Sequence, residues 1–345
     1  MQASRKARLR ASILREVLQP PELAKLVGIC SGLRAARELA AVSRSHGVGI
    51  RGALPGLHRE LPPQVYICGG SVSGAEVAIV EALNLYAGRW DALPPLPTPR
   101  RWCSAAVVAG VPYVVGGHNS GRYLGTTERY NPALGQWETL PPMPSPREAC
   151  AVASAGGMLY VFGGSHSEQA LTAAERFDPA AMAWEVLPAM PGARDACAAA
   201  SAEDGIFLAG GRDMGEFLAS VDHLDASTGW WQALPPMPTA RLGCSAAAAE
   251  GRLFVVGGHG NGQALVAVES FDVALGCWEA LPTMPTPRLG CAAVAASGQL
   301  FVVGGHNGDE AVGAAEVFDL RSWRWEPLLP LPTPRYACAG AAVVC

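Results

Sequence analysis

Phe254-Val-Val-Gly-Gly-His259 is repeated letter for letter at Phe301–His306. Outward from that hexapeptide, Gly-Gly pairs begin at 69, 116, 163, 210, 257 and 304, always 47 residues apart. Tryptophan keeps the same step at Trp90, Trp137, Trp184, Trp231, Trp278 and Trp325, and arginine keeps it at Arg100, Arg147, Arg194, Arg241, Arg288 and Arg335. An aromatic ring precedes each Gly pair, from Tyr66 to Phe301, and a cysteine follows each arginine, from Cys103 to Cys338. Self-similarity at a fixed period of this size marks a repeat architecture. Residues 64–345 hold six such units of 47 residues.

Each unit reads as four strands. In the unit opened by Arg100, CSAAVVAG is a first strand of small residues and PYVVGG a second of nearly continuous apolar character. TTERYNP alternates as a third and GQWETL forms a fourth, ended by PPMPSPR, because proline cannot donate to a ladder. A lone sheet of this size is wet on both faces. Stacked radially, each sheet is covered by its neighbours, and the small first strand belongs innermost, where space is least. The Gly pair then permits positive φ or lets a neighbouring ring lie on the backbone. ALPGLHRELPP, one period before Arg100, has no inner-strand pattern. The missing strand is instead supplied by RYACAGAAVVC at the far end, so Arg335–Cys345 is expected to complete the blade begun at Val65.

Composition allows this. Half the residues are apolar, with 40 Gly and 28 Pro for short strands and tight turns. No apolar run reaches the roughly 20 residues of a membrane helix, which leads to the expectation of a soluble protein with no membrane association. The net charge of −4 is the sum of unlike parts: residues 1–60 carry eleven Lys or Arg against four acids, and residues 61–345 carry fifteen Arg against 26 acids. A basic head on an acidic body implies two modules. The body's field repels phosphate, which argues against nucleic-acid binding.

Gly-Gly, then Glu-x-Tyr/Phe-Asp/Asn, then Trp, then a Pro-rich turn with Arg, resembles the kelch repeat. The resemblance implies an all-β fold: a six-bladed β-propeller of four-stranded antiparallel blades over residues 64–345, following a linker at 51–63. The fourth unit departs from the pattern, with Asp222 and Leu224 in place of Glu and the aromatic.

Residues 1–50 are expected to form a short helical head. Leu9, Ile13 and Val17 share one helical face, and Pro20-Pro21 ends that helix. Residues 20–48 resemble a degenerate F-box, in Pro21-Glu22-Leu23, Val27, Cys30 and Val42-Ser43-Arg44, with His46 where that family has tryptophan. The resemblance implies that Leu23, Val27, Cys30 and Val42 dock on a Skp1-type adaptor of a cullin ubiquitin ligase. A plain helical cap or dimerisation helix, and an organelle transit peptide over residues 1–18, are the alternatives.

For the propeller, the kelch resemblance implies partner binding on the face where the loop after each Gly pair and the loop before each inner strand emerge. The residue after the pair gives one ring: Ser71, His118, Ser165, Arg212, His259 and His306. The recurring arginines, Arg100, Arg147, Arg194, Arg241, Arg288 and Arg335, give a second. Six guanidiniums around one mouth would favour an acidic or phosphorylated peptide; the alternative is that they pair with the recurring acids Glu81, Glu128, Glu175, Asp222, Glu269 and Glu316. Residues that break the period are candidates for specificity, above all Arg101-Trp102 and Tyr336, because Trp and Arg dominate interface hot spots.

No catalytic or metal-ligating set emerges. Three histidines on separate blades stand too far apart to converge on one ion. The cysteines show no C-x-x-C spacing and read as small apolar filler, reduced as in a cytoplasmic or nuclear compartment. Copper-radical oxidases resemble this architecture but need Tyr and His ligands that are not present as a set. A mutarotase-like enzyme on a small acidic ligand would use Glu148 or Asp195 beside the arginines. The favoured reading is a non-enzymatic, cofactor-free module that binds a protein or peptide partner, as a ligase substrate adaptor or as a plain scaffold.

Overall fold

A computed structural model describes residues 63–202 and 205–343. The chain divides into two units, Met1–Glu60 and Leu61–Cys345. The helical head and the F-box-like stretch, with Leu23, Val27, Cys30 and Val42, lie outside the described residues.

Residues 63–343 form six four-stranded antiparallel sheets, each running from the axis outward. Blade 2 is Ser104–Val108, Val111–Val115, Thr127–Asn131 and Gln136–Leu140, and blades 3 to 6 repeat it in chain order. Blade 1 is composite: Ala339–Val343 is its inner strand, paired antiparallel with Gln64–Cys68, followed by Val80–Asn84 and Arg89–Leu93. The last strand of the chain therefore closes the ring, as the missing inner-strand pattern before Arg100 requires. No helix occurs among the described residues.

The core lies between blades. Phe254 and Val256 of blade 5 pack with Leu300, Val302 and Phe318 of blade 6, and Phe301 and Val303 of blade 6 pack with Val65, Ile67 and Leu83 of blade 1. Each fully buried side chain of this kind contributes roughly 1.5–3 kcal/mol. The inner strands are small because they crowd at the axis: a Cβ added to Gly340 would lie 2.6 Å from Ala292 Cβ on the adjoining blade. Five of the six periodic tryptophans tie their blade to the one before by a hydrogen bond. Trp137 Nε1 donates to Pro94 O, Trp184 to Pro141 O, Trp278 to Pro235 O and Trp325 to Pro282 O. Trp90 Nε1 donates to Leu329 O across the closure seam.

The glycine pair resolves one open point. Its reason is not a ring lying on the backbone but a carbonyl approaching it. Gly163 has φ +57°, and a Cβ there would stand 2.3 Å from Arg194 O of the next blade. Gly164 N donates to that same oxygen at 2.9 Å. The pair is thus where one blade accepts the loop that opens the next.

Candidate functional site

The recurring arginines are not at the mouth. Arg100, Arg147, Arg241, Arg288 and Arg335 are fully buried, and Arg194 is nearly so. Each pairs with the acid of its own blade: Arg100 with Glu128, Arg147 with Glu175 at 2.6 Å, Arg194 with Asp222, Arg241 with Glu269 and Arg288 with Glu316 at 2.8 Å, and Arg335 with Glu81. Most of the remaining N–H groups hold backbone carbonyls. Arg147 Nη1 donates to Gly163 O at 3.1 Å and Ala173 O at 3.2 Å, between the second and third strands. Placing these six residues among the partner-binding set is therefore corrected: each is buried with its charge paired inside the blade, so none of the six is left for an acidic peptide.

One residue on, the picture changes. The residue after each arginine forms an isolated antiparallel bridge with the residue after the same blade's glycine pair: Arg101 with His118, Glu148 with Ser165, Asp195 with Arg212, Leu242 with His259, Leu289 with His306, and Tyr336 with Ser71. The ring after the glycine pairs and the residues one past each arginine are thus six local pairs around one mouth. Ser71 and Ser165 are buried there, and the histidines are half-buried. Neither set keeps one residue type from blade to blade, so sequence reasoning did not couple them.

The next position closes the mouth. Trp102, Ala149, Ala196, Gly243, Gly290 and Ala337 all have φ between +49° and +60°. Their amides form a closed ring: Trp102 N donates to Ala337 O, Ala149 N to Trp102 O, Ala196 N to Ala149 O, Gly243 N to Ala196 O, Gly290 N to Gly243 O and Ala337 N to Gly290 O, all at 2.8 to 2.9 Å. Small residues stand here because the left-handed conformation penalises a bulky side chain. Trp102 is the exception. Its indole reaches over the axis, 3.5 Å from where a Cβ on Gly290 would stand, and meets Tyr336 edge-on at 6.4 Å between centroids. Tyr336 in turn meets His306 at 5.2 Å.

The six pairs divide the mouth by chemistry. Blades 5, 6 and 1 offer Leu242, Leu289 and Tyr336, with Trp102 leaning across to them. Blades 2, 3 and 4 offer charge. Glu76, from the hairpin of blade 1, accepts from His118 Nδ1 at 3.1 Å and lies 3.5 Å from Arg101 Nε; a hydrogen bond from its own backbone, then the histidine and Arg101, hold its carboxyl below the usual range. Arg212 pairs with Asp195 at 2.9 Å. Burial pushes the Glu148 carboxyl above the ordinary carboxylate range, against the opposing pull of His118 and Arg101. Across the loops and hairpins of this face, eight carboxylates (Glu76, Glu148, Glu168, Asp195, Asp213, Glu216, Asp309 and Glu310) stand against Arg101, Arg122 and Arg212.

The axial channel beneath is lined by the inner strands and the periodic cysteines. Their thiols are buried, and desolvation pushes Cys150 and Cys244 up to about 11 and Cys103, Cys197 and Cys291 up to about 12. All eight described cysteines are unpaired, and Cys277 alone among them is exposed. Among the described residues, no three His, Cys, Asp or Glu side chains come together as metal ligands would.

Comparison with known families agrees with the repeat geometry. The KLHDC2/KLHL20/DRC7 Kelch-repeats domain matches residues 188–344, and the Kelch motif matches residues 99–144 and 146–191. The chain belongs to the kelch-repeat family. No curated protein matches it. In this kelch propeller the family's repeating residues, Gly-Gly, Arg, Glu and Trp, are the ones that build the blades. The residues that differ from blade to blade are gathered at the mouth.

Proposed function

We propose that this chain is a non-catalytic interaction module whose propeller mouth holds a segment of a partner protein. Membership of the kelch-repeat family, whose propellers serve generally as protein-binding domains, supports the general reading. The observation that carries the location is the set of six bridged pairs: they are the variable positions of an otherwise regular ring, and they sit on one face with most of their side chains partly open. Buried arginines and matched acids supply rigidity; the mouth supplies discrimination. A mutarotase-like activity gains nothing from this arrangement, since the arginine that would hold a substrate carboxylate is locked inside each blade.

The ligase-adaptor reading rests on residues 20–48 and stands beside this one as a statement about the head. Affinity capture with the full-length chain, with a chain lacking residues 1–60, and with a full-length Arg101→Ala, Trp102→Ala variant tests both. Partners lost only on changing Arg101 and Trp102 belong to the mouth. Skp1-type and cullin proteins lost only on removing the head establish the adaptor, and their absence from the full-length capture ends that reading. Partners retained by the mouth variant would end the mouth reading.

A further inference from the structure

The charges at the mouth do not cancel, and the remainder has a definite place. Arg101 is engaged by Glu76, and Arg212 by Asp195. Glu148, between them on blade 3, makes no ion pair among the described residues and is half-buried. Asp195, on the next blade, is 4% exposed, yet its Oδ1 has no hydrogen-bond partner. It lines a depression with Glu168 and Arg212. A buried acceptor without a donor is unfavourable, so a donor brought by a ligand recovers that cost. Arg212 is half-exposed and contacts Asp195 through Oδ2, which leaves Oδ1 to a ligand.

We propose that Glu148 and Asp195 form a subsite for a cationic side chain, arginine or lysine, of the partner, beside an apolar subsite formed by Leu242, Leu289 and Trp102. This rests on the mouth reading and makes the preferred partner basic and apolar rather than acidic or phosphorylated. The cation donates to the Glu148 carboxylate and to Asp195 Oδ1, and the neighbouring apolar side chain covers the leucines. The acidic excess of the surrounding loops steers such a segment in.

The test is selection of a displayed library of random peptides on immobilised full-length protein, followed by anisotropy titration of the enriched sequences. Enriched peptides are expected to carry Arg or Lys next to an aromatic or aliphatic residue and to bind more weakly as salt rises. Glu148→Gln, nearly isosteric, should weaken them by roughly 10-fold or more, as loss of a charge-assisted hydrogen bond does, with its thermal midpoint showing that it folds. Leu289→Asp, and Leu242→Ser as a second variant, should weaken them independently. Peptides that lack a cation, or that ignore Glu148→Gln while responding to Leu289→Asp or Leu242→Ser, overturn the cationic subsite and leave the mouth reading standing. No enrichment, or binding that ignores all three variants, overturns both.

Discussion

Arg335 and Glu81 lie 254 residues apart in the sequence and form a buried ion pair inside one blade. Arg335 lies in the loop before the last described strand, Ala339–Val343, and Glu81 sits in the third strand of the first blade, so the pair locks the seam where the ring closes. Arg335 Nη2 also donates to Ile67 O at 3.0 Å. Arg335→Ala should therefore destabilise by about 3–5 kcal/mol, as loss of one partner of a buried pair does. Arg335→Met with Glu81→Leu should cost less than Arg335→Ala alone, and urea denaturation of the three proteins checks the order. Equal losses for the single and double variants would show that the buried charge is not the cause.

Two glycines separate strain from collision. Gly156 (φ +55°) and Gly163 (φ +57°) share a left-handed backbone, but a Cβ on Gly156 meets nothing within 4 Å. Gly156→Ala should cost about 1–2 kcal/mol from conformation alone. Gly163→Ala carries the same strain and drives a methyl into the Arg194 carbonyl, so it should cost at least about 3 kcal/mol by adding an overpacking penalty. Thermal unfolding of both variants measures the difference.

Glu148 gives the mouth a pH dependence of definite sign. Its carboxyl is raised in the folded state by burial, with Asp195 and Glu76 adding to the rise and His118 and Arg101 opposing it. The folded protein therefore holds this proton to a higher pH than the unfolded chain. The stability it contributes is complete below the ordinary glutamate range and is lost as pH rises through the folded value. Glu148→Gln should raise the thermal midpoint at neutral pH and remove that part of the pH profile. A cationic peptide should bind the unaltered protein less well as pH falls through the same range.

Thiol accessibility gives a fourth check. With Cys30 and Cys345 replaced by serine, a thiol reagent should label Cys277 rapidly and the seven buried cysteines only on unfolding. Burial and a raised thiol pKa both withhold thiolate from the reagent. Rapid labelling of any channel cysteine would show that the axis is open to solvent.

The period of 47 made the blades, their strand order and the C-terminal closure legible, because each is dictated by a residue that repeats. The site was half legible. Arg101, Trp102 and Tyr336 stood out as departures from the period, and they are at the mouth. The arginine ring misled because recurrence is blind to direction: a guanidinium that lines a mouth and one that braces a blade repeat identically. The separating signal was the acid 28 residues after each arginine from Arg100 to Arg288, a spacing that returns within one blade. The pairing of Glu148 with Ser165, and the charge left over on Glu148, depend on how loops bend across the face. No periodicity carries that.

The six amides that link Trp102, Ala149, Ala196, Gly243, Gly290 and Ala337 run head to tail in one sense and return to their start. Peptide dipoles of about 3.5 D that add along a helix circulate here instead, and their tangential parts cancel. Around the rim, therefore, the ring of amides marks no one blade as a positive or negative pole. Whatever lands on it is sorted by the side chains standing above.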